Sequence, residues 1–95
     1  MQPITKLIFT GVDGSKYKFD VYPRDIRVNN GPAIYSFLSK VNGNYLANHH
    51  KWDEAIRHGF EYLAICRSVT SRDLDRVEAT LIQRYRPCCN EVVPR

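Results

Sequence analysis

The sequence predicts an α+β domain in which a small antiparallel sheet is flanked by two main helices. Residues 17–22 alternate apolar and polar side chains at the period of a β-strand. Two glycines separate this segment from an apolar, β-branched one, and residues 72–85 repeat apolar side chains at the period of a helix. With 95 residues, the chain is expected to form one domain over residues 1–95 with a modest core.

The first element is predicted to be a β-hairpin over residues 5–22. Residues 6–10 form its first strand, and Gly11 to Ser15 supply turn chemistry that includes Gly14. Pro23 is expected to end the second strand because its nitrogen carries no hydrogen for a ladder bond. A loop should follow as far as Pro32, with its strongest turn signal at residues 29–32.

Two further strands and two helices complete the prediction. Residues 33–38 form a third strand, residues 42–44 a turn and residues 45–58 the first helix, with Gly59 as its C-cap. Residues 60–69 form a fourth strand. The second helix follows Thr70 and Ser71, which suit an N-cap, and it ends before Pro87.

Charge and composition limit the classes of partner. The formal net charge is +4 and the pI is about 9.1, with the excess spread along the chain, so nucleic-acid contact is permitted but no basic arm is present. The three cysteines are expected to be reduced thiols of a cytoplasmic protein, since Cys88 and Cys89 are adjacent and no second Cys pair could complete a zinc site. Neither a signal peptide nor an apolar run of about 20 residues is visible, so no membrane partner is expected.

Glu78 does not fit a plain amphipathic helix. On a helical wheel it falls among the apolar side chains of the second helix, which predicts that it lies at the centre of the buried face. These neighbours are Leu74, Leu81, Ile82 and Tyr85, while Arg72, Arg76, Thr80, Gln83 and Arg84 are predicted to face away. A carboxylate in such a place is costly unless it is paired or binds a metal, so an internal hydrogen bond or salt bridge and a metal site both stay open. His49, on the inward side of the first predicted helix, allows the same two explanations.

The order of several residues resembles a known family of nucleases. A strand carries Ala33-Ile34-Tyr35, a helix carries Asn48-His49-His50-Lys51-Trp52, and a last helix and its tail carry Glu78, Leu81, Ile82, Tyr85, Pro87 and Asn90. This order resembles the GIY-YIG endonuclease superfamily. The N-terminal segment from Phe9 to Pro23 also looks like the lead-in of small phage and bacterial members. The resemblance implies a three-stranded antiparallel sheet flanked by helices and DNA cleavage with one divalent metal ion.

The resemblance also implies roles for individual residues. Glu78 matches the metal-binding glutamate, Tyr35 the tyrosine of the first motif, His49 the helix histidine and Asn90 the terminal asparagine. Compared with the family pattern, Ala33 replaces a glycine, and roughly ten residues of the second strand and its loop are absent. Either Tyr45 occupies the place of the family's arginine, or it is the second tyrosine and the arginine is lost; Arg57 points the wrong way to substitute.

Three functions follow as hypotheses. The first is a non-catalytic or weakly catalytic binding protein on a degenerate fold of this family, such as a phage-encoded, anti-CRISPR-like inhibitor of a host defence complex that targets nucleic acid. The second is an active endonuclease, in which Tyr35, Tyr45 and His49 surround one Mg or Mn ion held by Glu78. The third is a structural domain that dimerises through an exposed sheet edge. For the first, the expected contacts to nucleic acid or to a nucleic-acid-handling complex are His50, Lys51, Arg57, Arg84, Arg86 and Asn90.

Overall fold

The computed structural model describes residues 2–27, 31–40, 56–57 and 59–86, together with the backbone of residues 43–48. The described chain is α+β, as the sequence predicts. The strands are β1 (Thr5–Thr10), β2 (Lys16–Pro23), β3 (Ile34–Lys40), β4 (Gly43–Asn48) and β5 (Tyr62–Cys66). A 3-10 turn at Ser71–Asp73 leads into helix α1 (Leu74–Tyr85).

The strands form one antiparallel sheet in the order β1-β2-β5-β3-β4. Two hairpins, β1–β2 and β3–β4, are therefore joined by β5, which enters last along the chain and lies in the middle. In β5, Ala64 pairs with Val21 of β2 on one side and with Ser36 of β3 on the other. The sheet contains the four predicted strands and a fifth, β4, that the sequence analysis did not predict.

The predicted helix over residues 45–58 is wrong at its start, because residues 43–48 form β4. Lys40 pairs with Gly43 and Ser36 pairs with Asn48, so β4 runs directly back along β3. Only two residues separate these strands, which is the shortest common hairpin connection. Pairing with β3 outweighs the helical spacing, since helix preference is a weak prior over so few residues. The second main helix is therefore not confirmed: of residues 49–58, the structure describes Ile56 and Arg57, which are helical.

The sheet has two different faces, because successive side chains of a strand point to opposite sides. We call the side that packs against α1 the helix face; its fully buried members include Phe19, Ile34, Leu38, Ala64 and Cys66. We call the opposite side the outer face. Its buried cluster consists of Phe37, Leu63 and Ile65 with Phe60, and Tyr22, Ile26, Ala33 and Tyr35 pack at its border. The central strands β2, β3 and β5 therefore contribute to two separate layers of packing.

Helix α1 attaches to the helix face through Val77 and Leu81, which are 1% and 0% exposed. Burying each such side chain stabilises the fold by roughly 1.5–3 kcal/mol. Among the described residues, no helix is long and apolar enough to cross a membrane.

Polar contacts also tie α1 to the β1–β2 hairpin. The Thr10 N–H donates to the Tyr85 hydroxyl at 2.8 Å, and the Val12 N–H donates to Thr80 Oγ1 at 2.9 Å. These are backbone groups at the end of the outer strand β1, where no further strand is present in the described part of the sheet to accept them. The two side chains of α1 therefore accept hydrogen bonds from these N–H groups and fix the position of the hairpin against the helix.

Candidate functional site

Glu78 lies at the side of the buried face of α1 and not at its centre. The centre is formed by Val77 and Leu81. Glu78 lies about 100° around the helix from Val77 and about 60° from Leu81, with the buried Ile82 on its other side. Glu78 is half-buried, whereas Thr80, which was predicted to face away, is buried. The prediction was wrong here because it counted only apolar residues: Thr80 is polar, but its hydroxyl is satisfied by the Val12 N–H and its methyl group packs inward.

Tyr35 lies on the outer face of β3. It packs at the border of the cluster formed by Phe37, Leu63 and Ile65, and its hydroxyl is 3.5 Å from the carbonyl oxygen of Gly31. The neighbouring Ile34 points the other way, into the core beneath α1. Because α1 carries Glu78, the sheet separates Tyr35 from Glu78.

This separation decides what the two side chains can do together. The oxygen ligands of Mg²⁺ or Mn²⁺ lie roughly 2.0–2.6 Å from the metal, so a residue that acts on a metal-bound water must be on the same side of the sheet as the metal. Tyr35 does not meet this condition for a metal held by Glu78. In the described part of the chain, no three His, Cys, Asp or Glu side chains lie close enough together to hold a metal ion.

The second candidate tyrosine, Tyr45, lies on β4, where it pairs with Leu38 of β3. The alternative that placed Tyr45 on a helix, one turn before His49, is therefore wrong. Its position in a strand antiparallel to the one that carries Tyr35 agrees with the other alternative, in which Tyr45 is the second tyrosine. His49, His50, Lys51 and Asn90 lie outside the described residues.

Three arginines predicted to bind nucleic acid or a partner are exposed: two lie at the C-terminal end of α1, and the third lies elsewhere along the chain. Arg84 is in the last turn of α1, with its guanidinium 5.5 Å from the centre of the Tyr85 ring. Arg86 caps the same helix in the left-handed conformation (φ 47°), and its N–H donates to the Ile82 carbonyl oxygen at 2.8 Å. Arg57 precedes β5 along the chain.

The sequence analysis missed a basic surface on the β1–β2 hairpin. Because Leu7, Phe9, Tyr17 and Phe19 face α1, the side chains between them point to the outer face. We call this surface the hairpin face; across the two strands it pairs Lys6 with Asp20, Ile8 with Lys18 and Thr10 with Lys16. The signal was present in the alternation of residues 16–20, which places both lysines and the aspartate on one side of a strand.

A groove at the junction of β2 and β5 is not a catalytic candidate. This groove of about 330 Å³ lies where β2 ends and β5 begins, and it is lined by Pro23, Arg24, Asp25, Glu61 and Tyr62. Arg24 donates its backbone N–H to the Glu61 carbonyl oxygen at 3.0 Å and a guanidinium N–H to that of Phe60 at 3.3 Å. The guanidinium of Arg24 thus stabilises the backbone that leads into β5. None of the predicted site residues lines the groove.

No family model, no curated protein and no solved structure matches this chain. The resemblance to GIY-YIG endonucleases therefore stays a prediction based on the residues quoted above. The function has to be argued from the positions of the side chains.

Proposed function

We propose that this protein is a non-catalytic binding protein on a degenerate GIY-YIG-like fold, and that it binds nucleic acid or a protein complex that handles nucleic acid. The observation that carries the proposal is that Tyr35 lies on the outer face of the sheet, whereas α1, the helix that carries Glu78, packs against the other face. A catalytic tyrosine and a metal-binding glutamate would have to converge on one phosphate.

Loss of this convergence has a large expected effect on catalysis. Removing one group that stabilises charge in a transition state typically costs about 2.7–4 kcal/mol, or 10²–10³ in rate. The resemblance already leaves the arginine role empty, and the placement of Tyr35 removes a second group. Two such losses would leave little activity over the uncatalysed reaction.

The sheet supports the nuclease-like part of the proposal. Strands β3, β4 and β5 form three consecutive antiparallel members of the sheet, and the 3-10 turn that follows β5 leads into the helix that carries Glu78. A three-stranded antiparallel sheet with flanking helices is what the resemblance implies. The β1–β2 hairpin adds two strands beside β5.

Size and charge support the finer part of the proposal, an inhibitor of the anti-CRISPR type that is encoded by a phage and acts in the cytoplasm. A chain of 95 residues with a net charge of +4 is large enough for one binding surface and is suited to a partner with negative charge. The proposed mechanism is occupation of a nucleic-acid path without cleavage.

Plasmid nicking tests the absence of catalysis. Supercoiled plasmid is incubated with Mg²⁺ or Mn²⁺ and the native chain, Glu78→Gln or Tyr35→Phe, and open-circle formation is measured on a gel. We expect all three proteins to nick no faster than a blank purification from cells without the protein. Metal-dependent nicking by the native chain that Glu78→Gln abolishes would reject the proposal, whereas a trace activity equal in all three samples comes from a contaminant.

A homodimer through a sheet edge is less well supported. The outer strands of the described sheet are β1 and β4. At and just after the end of β1, the backbone N–H groups of Thr10 and Val12 already donate hydrogen bonds to side chains of α1. The exposed Lys6 on β1 also disfavours pairing with another chain. A dimer of this kind would have to use β4, and light scattering at several concentrations measures whether one forms.

A further inference from the structure

The hairpin face is a two-stranded surface with its positive charge at one end. Lys6 and Asp20 face each other across the strands with Nζ and Oδ1 3.7 Å apart, so this end is close to neutral. The other end carries Lys16 and Lys18, which lie two residues apart on β2 and are both exposed. Their Cα atoms are therefore roughly 6.8 Å apart along one strand.

The two lysines at this end have no carboxylate partner within the described residues, in contrast to Lys6. The nearest acidic residue along the chain is Asp20, two residues from Lys18 on the same side of β2, and its carboxylate lies against Lys6. Asp13, in the hairpin turn, accepts the Ser15 N–H through its Oδ1 at 3.0 Å. Across β1, Lys18 pairs with Ile8, which is 57% exposed, and Lys16 pairs with Thr10. The surface thus presents two cations beside a small apolar and hydroxyl-bearing strip.

The side chains of the hairpin face select among negatively charged ligands. A lysine ammonium is a point charge that suits phosphate oxygens. None of the six side chains is aromatic, and Tyr22, the next residue on this side of β2, is partly buried against the cluster of the outer face. The hairpin face itself therefore offers no platform on which single-stranded bases could stack. None of the six is Arg, Asn or Gln, the side chains that read base edges in pairs of hydrogen bonds.

We propose that the hairpin face binds the phosphate backbone of duplex nucleic acid without sequence preference. This inference rests on the proposed function and assigns its contact surface to the hairpin, not to the arginines of α1. A duplex carries about one negative charge per 1.7 Å of its axis, which gives it the highest charge density of the nucleic-acid ligands considered. Lys16 and Lys18 supply the contacts, and Lys6 can add a third by leaving Asp20.

A second copy of the chain is a poorer occupant. In a two-fold interface centred on Ile8, the neighbouring Lys18 of one copy would lie near that of the other. Like charges placed in this way are destabilising. The same lysines that would oppose self-association are the ones that favour a polyanion.

Fluorescence anisotropy with labelled 20-base-pair DNA and RNA duplexes tests this assignment. The native chain is compared with Lys16→Gln/Lys18→Gln and with the matched control Arg72→Gln/Arg76→Gln, which removes the same charge from exposed positions on the α1 side. We expect the lysine variant to bind roughly tenfold more weakly at low salt and the slope of log K against log salt to fall by about 2, one for each lysine. The arginine control should stay within about threefold of the native chain.

Several results would overturn the inference. Loss of binding in the arginine control but not in the lysine variant would move the contact to α1, while leaving the proposed function intact. Failure of the native chain to bind either duplex would also reject it, and the partner would then be a protein complex. Tighter binding to a single strand than to the duplex would reject the duplex as the preferred ligand. Displacement of the duplex by polyglutamate of equal total charge would show that the face does not select phosphate.

Separate measurements distinguish effects on folding and on catalysis from effects on binding. Circular dichroism and melting of each variant show whether the fold is kept. If the double lysine variant does not fold, Lys18→Gln alone and the salt slope of the native chain decide; a native slope shallower than about −1 would contradict contacts by two lysines. Metal-dependent nicking would reject the proposed function and has no bearing on which face binds.

Discussion

Substitution of Gly11 by alanine should destabilise the protein, because this glycine is the point where the hairpin turn meets α1. A Cβ atom at Gly11 would lie 2.8 Å from Thr80 Cγ2 and 2.9 Å from Thr80 Oγ1. Distances this short require movement of the turn or of the helix. Thr80 cannot rotate away easily, since its Oγ1 accepts the Val12 N–H and a β-branched side chain is stiff in a helix.

The expected cost follows from the overpacking of a close contact. Inserting one methyl group into a tightly packed site typically costs about 1–3 kcal/mol. For a domain of this size, each kcal/mol lowers the melting temperature by about 4–8 °C. Urea unfolding followed by circular dichroism measures the free energy of unfolding, with an unchanged m-value as the sign that both end states are retained.

A matched control exists in the same turn. Gly14 has a φ of 86° and no neighbouring atom within 4 Å of the place that a Cβ would take, so Gly14→Ala should cost about 1 kcal/mol through backbone strain alone. Thr80→Ser removes the methyl group that Gly11→Ala meets. It should therefore recover part of the loss of Gly11→Ala, by about 1 kcal/mol in a double-mutant cycle, and none of the loss of Gly14→Ala.

The reasoning would be refuted if Gly11→Ala were as stable as the native chain. It would also fail if Thr80→Ser coupled equally to both glycines. Since the same contact holds the hairpin against α1, a confirmed coupling would show that the position of the hairpin face depends on the helix.

Two further predictions concern the same hairpin. Tyr85→Phe removes the acceptor of the partly buried Thr10 N–H and keeps the ring contact with Phe9, so we expect a loss of about 0.5–1.5 kcal/mol in urea unfolding; no loss would mean that water replaces the hydroxyl. The hydrogen bond from the backbone N–H of Ser15 lowers the pKa of the Asp13 carboxyl below its ordinary value of 3.8. A carboxyl whose pKa is lower in the folded than in the unfolded chain stabilises the fold above pH 3.8, and this stabilisation is lost as the pH falls through the lowered pKa. Melting between pH 7 and pH 2.5 should therefore drop more for the native chain than for Asp13→Asn, and equal drops would contradict this assignment.

Much of the architecture follows from local pattern. The hairpin predicted over residues 5–22 is confirmed as β1 and β2, and the helix predicted over residues 72–85 is confirmed as α1 at Leu74–Tyr85. Both depend on signals that act within a few residues: a turn with two glycines, strand alternation, and a helical repeat that ends at a proline. Pairing partners farther along the chain were not needed to recognise them.

The sequence by itself determined that this is an α+β chain with a basic balance. Only the tertiary structure decided that residues 43–48 pair with β3 as a strand, because the energy of a sheet ladder comes from a partner and not from the segment itself. It also decided that α1 covers the face of Ile34 and not that of Tyr35. Alternation fixes that two neighbouring residues of a strand point apart, but which of them meets the helix depends on how the whole sheet buries its apolar surface.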